Sequence, residues 1–192
     1  MSAYPLAAMT RADAPSALDA ADASRRERYG ALVSEHFADI WRFLRHLGVA
    51  SHGVDDAAQD VFLVAWQRLD EIRPGSERAF LFTTAYRRAQ SLRRRGWRET
   101  PDESVDATLD DAPSPEQRLD DKQAYDVALH LLGGLEEELR AVFVLYELEG
   151  FTMQRIADLI EVPIGTVASR LRRARETFQA RFERRTAPRG ER

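Results

Sequence analysis

The sequence predicts an all-α protein: two small helical domains joined by a flexible acidic linker, the second containing a helix-turn-helix. Three observations predict it. Apolar residues recur at three- and four-residue steps through most of the chain, and no alternating run is long enough for a strand. Residues 99–113 lose that period and carry acids and prolines instead. The last third then pairs a short helix, a tight break and a longer basic helix.

The first domain is expected over residues 29–98. Residues 1–28 are rich in Ala, Asp and Ser and are expected to be a disordered extension. Val33, Phe37, Ile40, Leu44 and Leu47 form one face of a first helix that Gly48 stops. A second helix starts near Asp55 and Asp56, where carboxylates suit the positive helix end, and its apolar face is Ala58, Val61, Phe62, Ala65 and Leu69. Pro74-Gly75 makes a turn, and Ser76 is placed to cap a third helix with Leu81, Thr84, Ala85, Arg88 and Leu92 along one side.

The second domain is expected over residues 114–186, with a disordered tail at 187–192. Ser114-Pro115-Glu116-Gln117 reads as a capping box with proline at the first helical position. Ala124, Val127, Ala128, Leu131 and Leu132 form that helix's apolar face, and Gly133-Gly134 ends it. The next helix runs from Leu135 to Leu148, with Leu139, Val142, Phe143 and Tyr146 inward and Gly150 as its stop. Thr152 can cap a short helix, Met153 to Ile160, that buries Ile156, Ala157 and Ile160. After Glu161-Val162-Pro163, a last helix sets Val167, Leu171, Ala174 and Phe178 inward. Thr166, Ala168, Ser169, Arg170, Arg172 and Arg173 lie on its other face.

Charge is distributed to suit nucleic acid although the formal net charge is -4. Residues 78–98 hold Arg78, Arg87, Arg88, Arg93, Arg94, Arg95 and Arg98 and no acid; residues 164–192 hold nine arginines against three glutamates. Between the two blocks lie Glu99, Asp102, Glu103, Asp106, Asp110 and Asp111. Two basic blocks with an acidic spacer point to two separate contacts with nucleic acid. The chain has no cysteine, which excludes disulfides, zinc-thiolate sites and cysteine nucleophiles. The four histidines lack metal-ligand spacing, and no Gly-rich phosphate loop is present, so no cofactor, metal or enzymatic activity is expected. No apolar run approaches the roughly 20 residues that a membrane helix requires. Membrane insertion is therefore not expected, and a cytoplasmic location is.

Three segments in order carry a family resemblance. Gly165-Thr166-Val167-Ala168-Ser169-Arg170-Leu171-Arg172-Arg173-Ala174-Arg175 resembles the promoter-reading helix of bacterial sigma factors of the extracytoplasmic-function group. Asp56-Ala57-Ala58-Gln59-Asp60-Val61-Phe62 resembles that family's polymerase-binding helix, and Ala79-Phe80-Leu81-Phe82-Thr83-Thr84-Ala85 its promoter-melting segment. The likeness spans about Tyr29 to Arg184 and includes the two-domain layout. It implies that the partners are RNA polymerase core and promoter DNA, both duplex and melted, with an anti-sigma factor as a further partner.

The resemblance also distributes roles. Asp56, Gln59, Asp60, Val61 and Phe62 would belong to the core-binding motif, with Asp56, Gln59 and Asp60 on one polar face and Val61 and Phe62 toward the core. Phe80, Phe82, Thr83, Tyr86, Arg87, Arg88 and Arg94 would hold the melted minus-ten element, because a single strand is gripped by cations and by aromatic stacking. Phe80, Phe82 and Tyr86 are expected to leave at least one ring exposed. Thr152, Thr166, Ala168, Ser169, Arg170, Arg172 and Arg173 would meet the minus-thirty-five duplex in its major groove. The chain departs from the family at Phe80, where tryptophan is usual, at Arg87, where asparagine is common, at Glu161 in place of a turn glycine, and at Ala168 in place of a basic residue. A free-standing helix-turn-helix regulator is the competing reading: it would bind duplex DNA tightly without polymerase, as a dimer on a palindrome.

Overall fold

A computed structural model describes residues 17–94 and 115–186; the expected extension before residue 17, linker 99–113 and tail 187–192 lie outside the described residues. Every regular element among the described residues is helical, in the order α1 (Ala17–His46), α2 (Ser51–Gln67), a 3₁₀ turn (Leu69–Glu71), α3 (Glu77–Arg94), α4 (Pro115–Gly133), α5 (Glu137–Phe143), a π-helical turn (Val144–Leu148), α6 (Met153–Ile160) and α7 (Ile164–Thr186).

In the first half, α1, α2 and α3 pack on one another. Ile40, Phe43, Leu44, Leu47, Val54, Ala58, Val61, Ala65, Leu69, Leu81, Phe82 and Ala85 are all buried there. Each large side chain so buried contributes roughly 1.5–3 kcal/mol. Two sequence expectations are corrected at α1. Phe37 is exposed and stacks on the rim of the core against Phe62, while Leu32, His36 and Phe43 turn inward. The helix also begins at Ala17, well inside the segment expected to be disordered. Arg25 and Arg28 explain that extension. Arg28 donates to the carbonyls of Leu69 and Ile72 and reaches Glu77, while Arg25 donates to the Trp66 carbonyl and lies over its ring. The two guanidiniums thereby add side-chain partners to carbonyls at the end of α2 and around the 3₁₀ turn.

α2 likewise starts a turn earlier than its acids suggest, at Ser51, so Asp55 and Asp56 lie in its second turn. Ser76 does not cap α3 with its side chain; its hydroxyl donates to the Arg73 carbonyl.

In the second half, α5 and α7 form the main pairing and α6 lies across α7. Leu139, Val142, Ile156, Val167, Leu171 and Ala174 are buried as their spacing predicts, whereas Ala124 on α4 is exposed. The α5 pattern hides a local change of pitch. The Glu149 N–H bonds the Val144 carbonyl at 3.0 Å, five residues back, so one wider turn closes the helix before Gly150 adopts φ 68°.

The two halves meet. α3 packs on α6 and α1 on α4. Arg140 of α5 donates to the carbonyls of Leu47, Gly133 and Leu135, tying the end of α1 to the end of α4. Burial pushes the pKa of this guanidinium down to about 10. Gly48, at φ 89°, runs directly beneath it, where any side chain would strike Arg140.

Candidate nucleic-acid interface

The helix-turn-helix is built by α6, a three-residue break and α7. Thr152 caps α6, its hydroxyl oxygen accepting from the Arg155 N–H at 3.2 Å. Glu161 then turns the chain in the left-handed region at φ 59°. It is the single non-glycine residue with positive φ among the described residues. A conformation that costs an L-residue roughly 1–2 kcal/mol thus falls where the family usually has glycine. Pro163 opens α7, its carbonyl accepting from the Thr166 and Val167 N–H groups.

Val167, Leu171 and Ala174 hold α7 to the core, which turns Ala168, Ser169, Arg172 and Arg173 outward. Thr166 is half-buried, and its carbonyl accepts from the Ser169 hydroxyl. Arg172 pairs with Glu176 one turn on and Arg173 with Glu136 at 3.5 Å, both at the exposed surface. Arg170 differs. Its side chain is 19% exposed and paired with Glu138 of α5, so it lies along the flank of the domain rather than on the outward face. The expectation that Arg170 lies with Arg172 and Arg173 on the face opposite the core is corrected: Leu171 is buried in the core, and Arg170 beside it is drawn toward Glu138 of α5. The outward face is therefore Ala168, Ser169, Arg172 and Arg173, with exposed Thr152 at the start of α6.

On α3 the aromatics are placed otherwise than the sequence indicates. Phe82 is fully buried, Tyr86 is 7% exposed and Phe80 is half-buried, so none of the three rings stands open. Phe82 packs on Phe43 at 4.8 Å and on Phe151 of the second half at 5.1 Å. Burial raises the pKa of the Tyr86 hydroxyl, which accepts from Gln90. The periodicity of α3 describes a helix of an isolated domain; the second half supplies the extra cover. Trp97 lies outside the described residues.

Arg87 pairs with Glu161 of the turn and Arg88 with Asp60 of α2, while Arg94 is exposed at the end of α3. Thr83 and Thr84 donate to the Ala79 and Phe80 carbonyls. Asp56 and Gln59 are exposed and Asp60 half-buried on one face of α2, with Val61 and Phe62 buried, as expected.

A cavity of about 590 Å³ lies between the two halves, lined by Phe80, Thr83, Thr84 and Arg87 of α3 together with Arg68, Arg73 and Arg155. The last three do not stand out in the sequence because each falls outside the dense arginine blocks; only folding gathers them. Among the described residues no group of His, Asp or Glu is arranged to hold a metal, and no helix is long and apolar enough to cross a membrane.

An outward-facing recognition helix joined to a three-helix module with a basic third helix defines a two-part, promoter-type DNA-binding architecture. The chain belongs to the sigma-70 family of RNA polymerase sigma factors, in its extracytoplasmic-function group: residues 32–99 match Sigma-70 region 2 and residues 125–178 match Sigma-70, region 4. It is 30% identical over 183 residues to the RNA polymerase sigma factor CnrH of Cupriavidus metallidurans, covering 90% of this chain and 96% of that one. It is 29% identical over 146 residues to the ECF RNA polymerase sigma-E factor of Escherichia coli K12, covering 70% and 76%. The fold is similar to that of CnrH in complex with the cytosolic domain of CnrY, with a TM-score of 0.61 at 26% identity over 82% of this chain and 89% of that one. It is also similar to the sigma factor RpoE bound to the anti-sigma factor NepR from Bartonella quintana, with a TM-score of 0.65 at 20% identity over 82% and 98%.

Proposed function

We propose that this chain binds RNA polymerase core, recognises and melts promoter DNA, and so directs transcription initiation of a particular set of genes. One observation carries the reading: a region 2 module and a region 4 module occur in that order on one chain, with an acidic segment between them. A helix-turn-helix alone would serve a repressor equally well; the added region 2 module is what a repressor does not need.

In this reading Asp56, Gln59 and Asp60 present the core-binding surface of α2, backed by Val61 and Phe62. Phe80, Phe82, Thr83, Tyr86, Arg87, Arg88 and Arg94 of α3 serve the melted minus-ten element, by cation contact with the backbone and by stacking. Thr152, Thr166, Ala168, Ser169, Arg172 and Arg173 face the minus-thirty-five duplex, with Arg170 at the flank; Ala168 would meet a thymine methyl rather than a phosphate. The role is binding and positioning, without catalysis by this chain, in the cytoplasm where polymerase works. The solved relatives are held by CnrY and by the anti-sigma factor NepR, and a protein of that class is the inhibitor this reading expects.

Run-off transcription with bacterial core polymerase, on the DNA upstream of the chain's own gene, tests the reading. A discrete transcript dependent on the added chain is expected. Tight duplex binding without polymerase, together with no transcript, would favour the free-standing regulator.

A further inference from the structure

The cavity walled by the end of α2, the 3₁₀ turn, α3 and α6 differs from the rest of the arginine-rich surface. On α7, Arg170, Arg172, Arg173 and Arg175 each pair with a glutamate. Arg68, Arg73 and Arg155 line the cavity, and among the described residues no carboxylate or carbonyl bonds their guanidiniums. Arg87, paired with Glu161, lines it too. These four guanidiniums stand against two lining carboxylates, Glu71 and Asp158, and Asp158 already accepts from Gln154 at 3.1 Å. At about 590 Å³ the space falls within the range of roughly 300–1,000 Å³ that small-molecule sites occupy. A guanidinium fork matches phosphate oxygens two at a time, so four forks from separate elements suit a run of phosphates better than a single one.

The lining hydroxyls call for different chemistry. Ser76 donates to the Arg73 carbonyl at 2.7 Å, Thr83 to the Ala79 carbonyl at 2.8 Å and Thr84 to the Phe80 carbonyl at 2.9 Å. Their protons are spent, so each offers the cavity only an acceptor oxygen, which serves an N–H group and not a phosphate. The half-buried Phe80 ring stands among them, and a nucleobase of any kind can stack on such a ring. We propose that this cavity binds a free nucleoside polyphosphate: the arginines take its phosphates, Phe80 stacks on its base, and the spent hydroxyls accept from an amino group of that base. Arg155 comes from α6, so the ligand touches both halves. An unpaired nucleotide in a DNA strand shares the base and the phosphate but carries no run of phosphates. Phe80, Thr83 and Arg87 cannot hold this ligand and a melted strand at once, so occupancy opposes promoter opening. That consequence rests on the sigma-factor reading above; the site itself does not.

Calorimetric titration of the full-length chain with nucleotides tests the site. ATP or GTP should saturate it and bind at least about tenfold more tightly than AMP, which lacks the phosphate run, or inorganic triphosphate, which lacks the base. UTP, whose base has no amino group, should bind more weakly than the better of the two. Arg73 and Arg155 are exposed and bond no described residue through their guanidiniums, so Arg73→Ala and Arg155→Ala should fold as the parent does. Each should weaken nucleotide binding by about tenfold. Arg184→Ala, at the exposed end of α7, should leave it unchanged. No saturation at millimolar nucleotide would overturn the site, as would inorganic triphosphate binding as tightly as ATP or an equal loss in Arg184→Ala. A single-stranded oligonucleotide that displaces ATP, and whose own affinity is untouched in Arg155→Ala, would assign the cavity to the strand and overturn the free ligand. Intact nucleotide binding in a chain that supports no run-off transcript would instead sink the sigma-factor reading and leave the site standing.

Discussion

Asp60 of α2 and Arg88 of α3 are paired across the first half, so a carboxylate on the proposed polymerase-facing helix is held by a cation on the proposed strand-gripping helix. With the Asp60 side chain 46% exposed, solvent screens the pair. Asp60→Asn should therefore cost the fold no more than about 1 kcal/mol. Its affinity for core polymerase should fall by more than that stability change accounts for. Paired measurements of thermal stability and core binding check this; a loss of affinity no larger than the loss of fold would remove Asp60 from the interface.

The left-handed residue at the helix-turn-helix break gives a second expectation. Glu161→Gly relieves an αL penalty of roughly 1–2 kcal/mol but adds about 0.5–1 kcal/mol of backbone entropy to the unfolded chain, a net gain of about 0.5 kcal/mol. The exposed pair with Arg87 offsets little of that. A rise in Tm of about 1–2 °C is expected. Glu161→Ala, which keeps the strain and loses the pair, should not be stabilised. Calorimetry on both variants separates the two effects.

Glu149 makes stability depend on pH near neutrality. Burial raises its carboxyl from 4.5 to about 7, against the opposing influence of Arg78; Asp39 raises it further and Arg42 lowers it. The folded chain therefore holds this proton more tightly than the unfolded chain does. The stabilisation is fully present below about 4.5 and is lost as pH rises through about 7. A shift of this size corresponds to at most about 3 kcal/mol. Tm should fall between these two values as pH is raised, and Glu149→Gln, which cannot ionise, should flatten that part of the profile. An unchanged slope in the glutamine variant would place the titration elsewhere.

Arg170 and Arg172 should separate by assay. Arg172 faces outward on α7, so Arg172→Ala should weaken duplex promoter binding and reduce the salt slope by roughly 0.9 for each phosphate that its guanidinium neutralises. Arg170 lies against Glu138 at the flank, so Arg170→Ala should act first on stability. An equal reduction of slope in both variants would return Arg170 to the outward face.

The helices were legible in the sequence because each buries one stripe, and Val61, Leu81, Ile156, Val167 and Leu171 sit where that stripe places them. The polar face of α2, with Asp56, Gln59 and Asp60, and most of the outward face of α7 followed from the same periodicity. The packing imposed by the second half was not legible. A periodic pattern states which side of a helix is buried, not how many neighbours cover it, so the burial of Phe82 and Tyr86 together, with Phe80 half-buried beside them, could not be read from α3 alone. Nor could the fate of residues 17–28: Arg25 and Arg28 anchor their helix by bonding carbonyls around residues 66–72, partners that only folding brings near. Arg170 shows the same limit at finer scale, since a side chain between a buried and an exposed neighbour can turn to either.

The wide turn at Val144–Leu148 carries one residue more than an ordinary helix would use over the same length. Each residue advances an α-helix by about 100°. Deleting one there would let the turn relax to ordinary pitch over the same length and leave Glu149, Phe151 and everything after them in register, whereas deleting one from α5, already at ordinary pitch, would swing them round the axis by about that angle. The wide turn thus holds a spare residue: a one-codon deletion is tolerable within it, whereas the same deletion in α5 would turn α6 and α7 toward a different part of space.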